Sequence, residues 1–271
     1  MSAGTGGWEL PISEGELSRL TRDLDEAHRE YLPLMHAAAT DLGEELRDTR
    51  SAQPGLASRR RFLLGAGGVA AALTLAACSS SGTKNAVGVG ASSSTSPSGS
   101  SGSVYTGDLQ VVALATALEN QAVGAYTATL TAAKAGKLGT VPPAVGTFAT
   151  TAMAQHADHA KAWNAVLTGA GKPAITGVPL SNQPATLKAL GAASNVGDVA
   201  KLALELENQA AQTYLFAAYN VSSAGGIATA ASIAPVEAMH AAILNFVLGQ
   251  YPVPDDFLPV DKAASPTLLT V

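Results

Sequence analysis

Apolar residues in the last two thirds of the chain recur at three- and four-residue steps instead of alternating, a pattern that predicts helices and no sheet. The steps mark helices over about 108–135, 144–169, 197–220 and 228–249. Gly136 to Pro143 joins the first pair and Ser222 to Gly226 the last. Between the pairs lies a longer stretch, 170–196, with Pro173, Pro179 and Pro184. Short, long and short connections suit an all-α four-helix bundle with one long crossover between helices two and three. Beyond Gly249, Pro252 and Pro254 stop the last helix and leave an extended tail.

A further stripe lies far upstream. Leu17, Leu20, Leu24, Ala27, Tyr31 and Leu34 form one face of an amphipathic helix. Ser13 and Glu16 have capping-box spacing for its start, and Pro33 is expected to bend or end it. Residues 1–57 are thus an acidic extension expected to be helical. Two origins stay open, a cytoplasmic extension or a coding start at Met35, and no function attaches to the segment.

Composition changes the picture through its unevenness. All eight arginines lie at or before Arg61 and all eight lysines at or after Lys84, so two kinds of polypeptide are joined. With 47% apolar residues and 14% charged, the chain is too apolar for disorder, and a net charge of -5 argues against nucleic-acid partners. One cysteine excludes a disulfide framework and a structural Cys₄ or Cys₂His₂ zinc site.

The join, 58–78, reads as a targeting segment. Arg59, Arg60 and Arg61 precede sixteen uncharged residues ending before Cys78, too short and glycine-diluted for an ordinary spanning helix. Ser58-Arg59-Arg60-Arg61-Phe62-Leu63 resembles a twin-arginine export motif, and Leu75-Ala76-Ala77-Cys78 resembles a bacterial lipobox. Together they imply delivery by the twin-arginine machinery and a membrane anchor through lipidated Cys78, on the outer face of a bacterial cell membrane. An uncleaved anchor helix from Arg61 would give the same attachment. Residues 79–103, eleven of them serine, read as a flexible tether. Residues 104–271 form the domain it carries.

That domain repeats itself. Leu118-Glu119-Asn120-Gln121-Ala122 with Tyr126 returns as Leu206-Glu207-Asn208-Gln209-Ala210 with Tyr214. His156, His159, Asn164 and Leu167 align without gaps on Glu237, His240, Asn245 and Leu248. All three histidines of the domain and three of its four glutamates fall in this frame. Residues three apart share a helix face, so His156 pairs with His159 and Glu237 with His240. One glutamate from each of two helices, with a three-residue acid–histidine step on the other two, resembles the ferritin-like superfamily, in particular exported bacterial ferritin-like proteins.

The resemblance implies a central metal site. Glu119 and Glu207 take the place of terminal ligands, His159 and His240 of imidazole ligands, and Glu237 of a bridging carboxylate. His156 stands where a second bridging glutamate belongs. A neutral imidazole has one lone pair, so an asymmetric pair or a single ion is expected, and ferroxidase-type chemistry is in doubt. The resemblance points to iron or manganese, with zinc compatible, and to metal oxidation or peroxide handling. The contrasting expectation is a vestigial, metal-free network in a non-enzymatic envelope scaffold or stress-protection lipoprotein. A homodimer is left open. Tyr126 and Tyr214 are expected to pack with their hydroxyls bonded, Trp163 and Met153 to be core, Glu205 solvated and Asp158 turned away. No dinucleotide glycine loop and no G-x-S-x-G elbow occurs in the domain.

Overall fold

The structure, a computed structural model, describes residues 8–48, 103–254 and 259–271; Arg59, Arg60, Cys78 and the Ser/Gly stretch up to residue 102 lie outside them. Among the described residues the elements are α1 (Glu14–Asp48), α2 (Asp108–Lys134), α3 (Pro143–Gly169), α4 (Gln183–Ala192), α5 (Val196–Asn220), α6 (Ala224–Val247) and a 3₁₀ turn at Pro266–Leu268. The described residues up to 48 and from 104 onward belong to one compact unit.

Helices α2, α3, α5 and α6 are the four of the bundle, α2 pairing with α3 and α5 with α6. Two apolar clusters make its core. One gathers Leu109 to Leu118, Trp163, Val166, Tyr214, Val221 and Ile233; the other Tyr126, Phe148, Ala152, Ala200, Ile243 and Val247. On α2, α3 and α5 the buried acids and histidines fall between the two, and on α6 Glu237 and His240 lie at the near edge of the second, just after Val236. The site is therefore a polar layer between two apolar plugs.

The crossover carries an element that periodicity did not mark, the short helix α4. It is tied down by repeat residues. The Gln121 side-chain amide donates to Gln183 at 2.8 Å, and those of Asn120 and Asn164 donate to the Ile175 carbonyl, each at 2.9 Å. The tail returns along the crossover, with Thr270 N–H donating to Pro179 O at 2.9 Å.

The acidic extension corrects two expectations. α1 runs through Pro33 as one helix. Pro33 is exposed, so its missing N–H is lost on the solvent side, while both flanks are anchored. The buried face keeps Leu17 and Leu24 of the expected stripe but not its end: Tyr31 and Leu34 are 58% and 64% exposed, while Thr21, His28, Met35, Ala39 and Leu42 are buried. This face packs along α3 and α6. Ser13 Oγ caps the Glu16 N–H at 3.1 Å, but the Glu16 carboxylate pairs with Arg19 instead of completing the box.

The seat explains a boundary. Gly225 and Gly226 read as loop, yet they belong to the first turn of α6. A Cβ at Gly225 would lie 2.7 Å from the Leu42 N and 2.9 Å from the Ala38 O of α1, so only glycine admits that backbone. At the other helix, Arg47 donates to Gly169 O at 2.8 Å. α6 is the one described helix long and apolar enough to cross a membrane, and it is a core helix of the bundle, with 56% of its most apolar window buried.

Candidate metal centre

The six residues singled out by the repeat meet in one place. Glu119, His156, His159, Glu207, Glu237 and His240 are each at most 1% exposed. They form two groups whose ligand atoms all lie within 4.8 Å of one another: Glu119, His156, His159 and Glu237, and His156, Glu207, Glu237 and His240. The groups share His156 and Glu237, the pair that the repeat places at equivalent bridging positions.

His156 stands between the two outer carboxylates, Nδ1 at 2.7 Å from Glu119 and Nε2 at 3.1 Å from Glu207. Burial alone would lower its pKa, but Glu237, Glu207 and Glu119 outweigh that and hold it well above the ordinary histidine value. His159 behaves alike, its pKa raised to about 9 by Glu119 and Glu237 against burial. His240 is raised by Glu207 and Glu237, again against burial. Burial pushes the Glu119 and Glu207 carboxyls up, yet the histidines prevail: Glu119 falls to about 2 and Glu207 well below its usual range. In the metal-free protein, imidazolium ions supply the cations that these buried carboxylates require.

The tyrosines cross between halves. Tyr126, on the helix of Glu119, donates to Glu207 at 2.5 Å, while Tyr214, on the helix of Glu207, donates to Glu119. Burial and these carboxylates keep both phenols protonated far above neutral pH. Trp163 adds a link by donating to the Tyr214 oxygen at 3.0 Å. It is a core residue, as expected, with a polar task besides.

Two participants escaped the sequence reading. Gln155 is buried, and its Oε1 accepts from His240 Nε2 at 2.8 Å, leaving Nδ1 towards Glu237 and Glu207. That contact selects the nitrogen free for a ligand. His28 of α1 is 4% exposed, its ring centroid 5.3 Å from that of His159. Glu205 is exposed, as expected, and Asp158 is half-buried.

The residues fit a metal. His159 Nδ1 lies 2.9 Å from Glu237 Oε1, yet the two are not aligned for a hydrogen bond, and both are buried without a hydrogen-bond partner. A cation between them would satisfy both atoms. The donor set of three carboxylates and three imidazoles suits transition ions. Neutral His156 has one lone pair, and its two nitrogens face different groups, so it serves one group as ligand while its N–H turns to the other. On the seam of α2 and α5, small clefts flanked by Ala122 and Ala210 reach Glu119, His156 and Glu207, whereas α1 closes the α3/α6 side.

A family model described as a ferritin-like domain matches residues 107–250. No curated protein and no solved structure matches the chain.

Proposed function

The chain belongs to the ferritin-like domain family, and from that premise we propose that it binds one or two transition ions, iron or manganese first, in the centre of its bundle. The observation that carries this reading is the pair of buried ligand groups sharing His156 and Glu237. Glu119 with His159 and Glu207 with His240 would hold the outer sides, and Glu237 would lie between. A bound redox ion would supply metal oxidation or peroxide handling. The residues themselves do three things. The carboxylates and imidazoles exchange bound protons for the cation, Tyr126 and Tyr214 orient the outer carboxylates, and the two apolar clusters keep bulk water from the layer.

The test is elemental analysis of the full chain, purified without chelators from cells supplied separately with iron, manganese or zinc. Stoichiometric metal that disappears in the Glu119→Ala/His240→Ala variant supports the site. A folded chain without metal from any medium overturns it. A second reading, a metal-free remnant in an envelope scaffold, is favoured by one observation: His156 already bridges Glu119 and Glu207 as a cation would.

The same proposal places the domain outside the cell membrane, delivered by the twin-arginine machinery and held by lipid on Cys78. Its support is the order of Arg59, Arg60, the apolar run and Cys78 in the sequence. Mass spectrometry of the amino-terminal peptide checks it: an acylated Cys78 is expected, and an intact, unmodified peptide spanning 58–78 in membrane-bound protein sinks it.

A further inference from the structure

We propose that His28, on the amino-terminal helix, is the hydrogen-bond partner of His159 Nε2 and so a positioning residue of the metal centre. The inference rests on the metal-binding reading above.

The argument begins with the internal symmetry. His240 and His159 are equivalent by repeat, and each turns Nδ1 inwards: His240 towards Glu237 at 3.0 Å, His159 towards the same residue at 2.9 Å. Their outer nitrogens differ. His240 Nε2 has Gln155 Oε1 at 2.8 Å, whereas His159 Nε2 is buried with no hydrogen-bond partner. Gln155 immediately precedes His156 in the repeat. The residue immediately preceding Glu237 is Val236, which has no side-chain acceptor to offer. The bundle cannot fill this place from its own four helices by symmetry.

α1 brings a group to it. His28 lies on the buried face, its ring beside that of His159, and its Nε2 is likewise buried without a partner. Two unpartnered buried nitrogens on neighbouring rings each forfeit the hydrogen bond they had in water, and one N–H···N bond would satisfy both. The distance is right: imidazoles joined end to end by a bond of about 3 Å have centroids roughly 5 Å apart, so rotation of the rings suffices. A neutral imidazole carries one ring-nitrogen lone pair, so His28 can accept at Nε2. The helix is fixed in register, by the Gly225 seat against Leu42 at one end and by the Ala144 N–H donating to Glu14 at 3.1 Å at the other.

With His28 as acceptor, the His159 proton stays on Nε2 and Nδ1 faces the metal, as Gln155 arranges for His240. Partners of this kind change metal affinity by about ten- to hundredfold. The test uses the full chain with cobalt(II) as probe, comparing wild type, His28→Leu, which keeps the apolar contact of α1, and His28→Gln, which restores an acceptor. His28→Leu is expected to weaken cobalt binding about ten- to hundredfold and to alter the visible bands, and His28→Gln to recover both. Unchanged affinity and spectrum in His28→Leu overturn the proposal. Failure of wild type to take up any metal would instead overturn the metal-binding reading. The imidazole ¹⁵N–¹H spectrum of the metal-free chain then decides this one. An exchange-protected His159 Nε2–H that vanishes in His28→Leu supports the proposal, and its absence from wild type overturns it. The wild-type signal also decides the matter should His28→Leu release α1.

Discussion

The first half of the bundle, α2 with α3, brings Glu119, His156 and His159 to the centre; the second, α5 with α6, brings Glu207, Glu237 and His240. The frame is common, and a single exchange, imidazole for carboxylate at the bridging place, separates them. Four carboxylates with two imidazoles would need a metal to offset their charge, whereas three and three can offset one another with protons. The exchange thus turns a layer that depends on its ion into one that can be folded without it. The asymmetry spreads outward: Tyr214 is braced by Trp163 while Tyr126 has no such brace, and Gln155 has Val236 as its counterpart.

The strongest way to break the comparison is to make the halves alike. His156→Glu removes the cation between Glu119 and Glu207 and adds a like charge. The metal-free variant should lose about 3–5 kcal/mol in urea unfolding, and elemental analysis should find two ions per chain. Unchanged metal-free stability would show that His156 does not compensate the carboxylates.

The next test concerns how α1 meets each half. Gly225→Ala drives a Cβ into the α1 backbone and should cost about 1–3 kcal/mol by thermal unfolding, with α1 newly open to protease. Gly43→Ala meets Val166 at 3.7 Å, ordinary contact, and should leave the melting temperature nearly unchanged.

Both tyrosine bonds to carboxylates should be worth about 1.5–3 kcal/mol, measured by urea unfolding of the metal-free chain. Tyr214→Phe should cost more than Tyr126→Phe, because it also strands the Trp163 N–H. Equal losses would remove Trp163 from the network.

The smallest effect is in pH, and it has opposite signs in the two places. His159 has a raised folded pKa of about 9, so its contribution is complete below about 6.5 and is lost as pH rises towards 9. His28 has a lowered value of about 4, so its contribution is present above about 6.5 and is lost as pH falls towards 4. His159 and His240 oppose the protonation of His28, while Asp158 and Asp25 favour it. Between pH 7 and 5.5 the metal-free bundle should gain global stability, while hydrogen exchange in α1 should quicken by an amount on the order of 1 kcal/mol. Parallel changes in both would show that His28 does not titrate separately.

Much of this was legible because the informative residues are rare. In a domain poor in charge, three glutamates and three histidines at repeated offsets could be matched, and helical spacing turned the match into faces. What stayed hidden depends on contacts between elements distant in sequence. Pro33 and Gly225 are breakers by local rule, and only the α1 seat makes both compatible with helix. Gln155 has no echo in the repeat, so nothing marked it. His28 did leave a trace: Thr21, His28, Met35 and Leu42 are spaced one heptad apart and all are buried, a register turned by roughly 60° from the stripe ending at Leu34. Choosing between the two registers required the partner surface.

The position of α1 in the chain has one more consequence. It precedes Arg59, Arg60 and Cys78, yet it docks on the domain that follows them. While the chain is intact, docking is intramolecular and governed by an effective concentration. A cut before Cys78 would make the same contacts a bimolecular association between a free helix and its seat, exposed to dilution. Leu17, Leu24, Met35 and Leu42 would then hold, or fail to hold, by affinity alone.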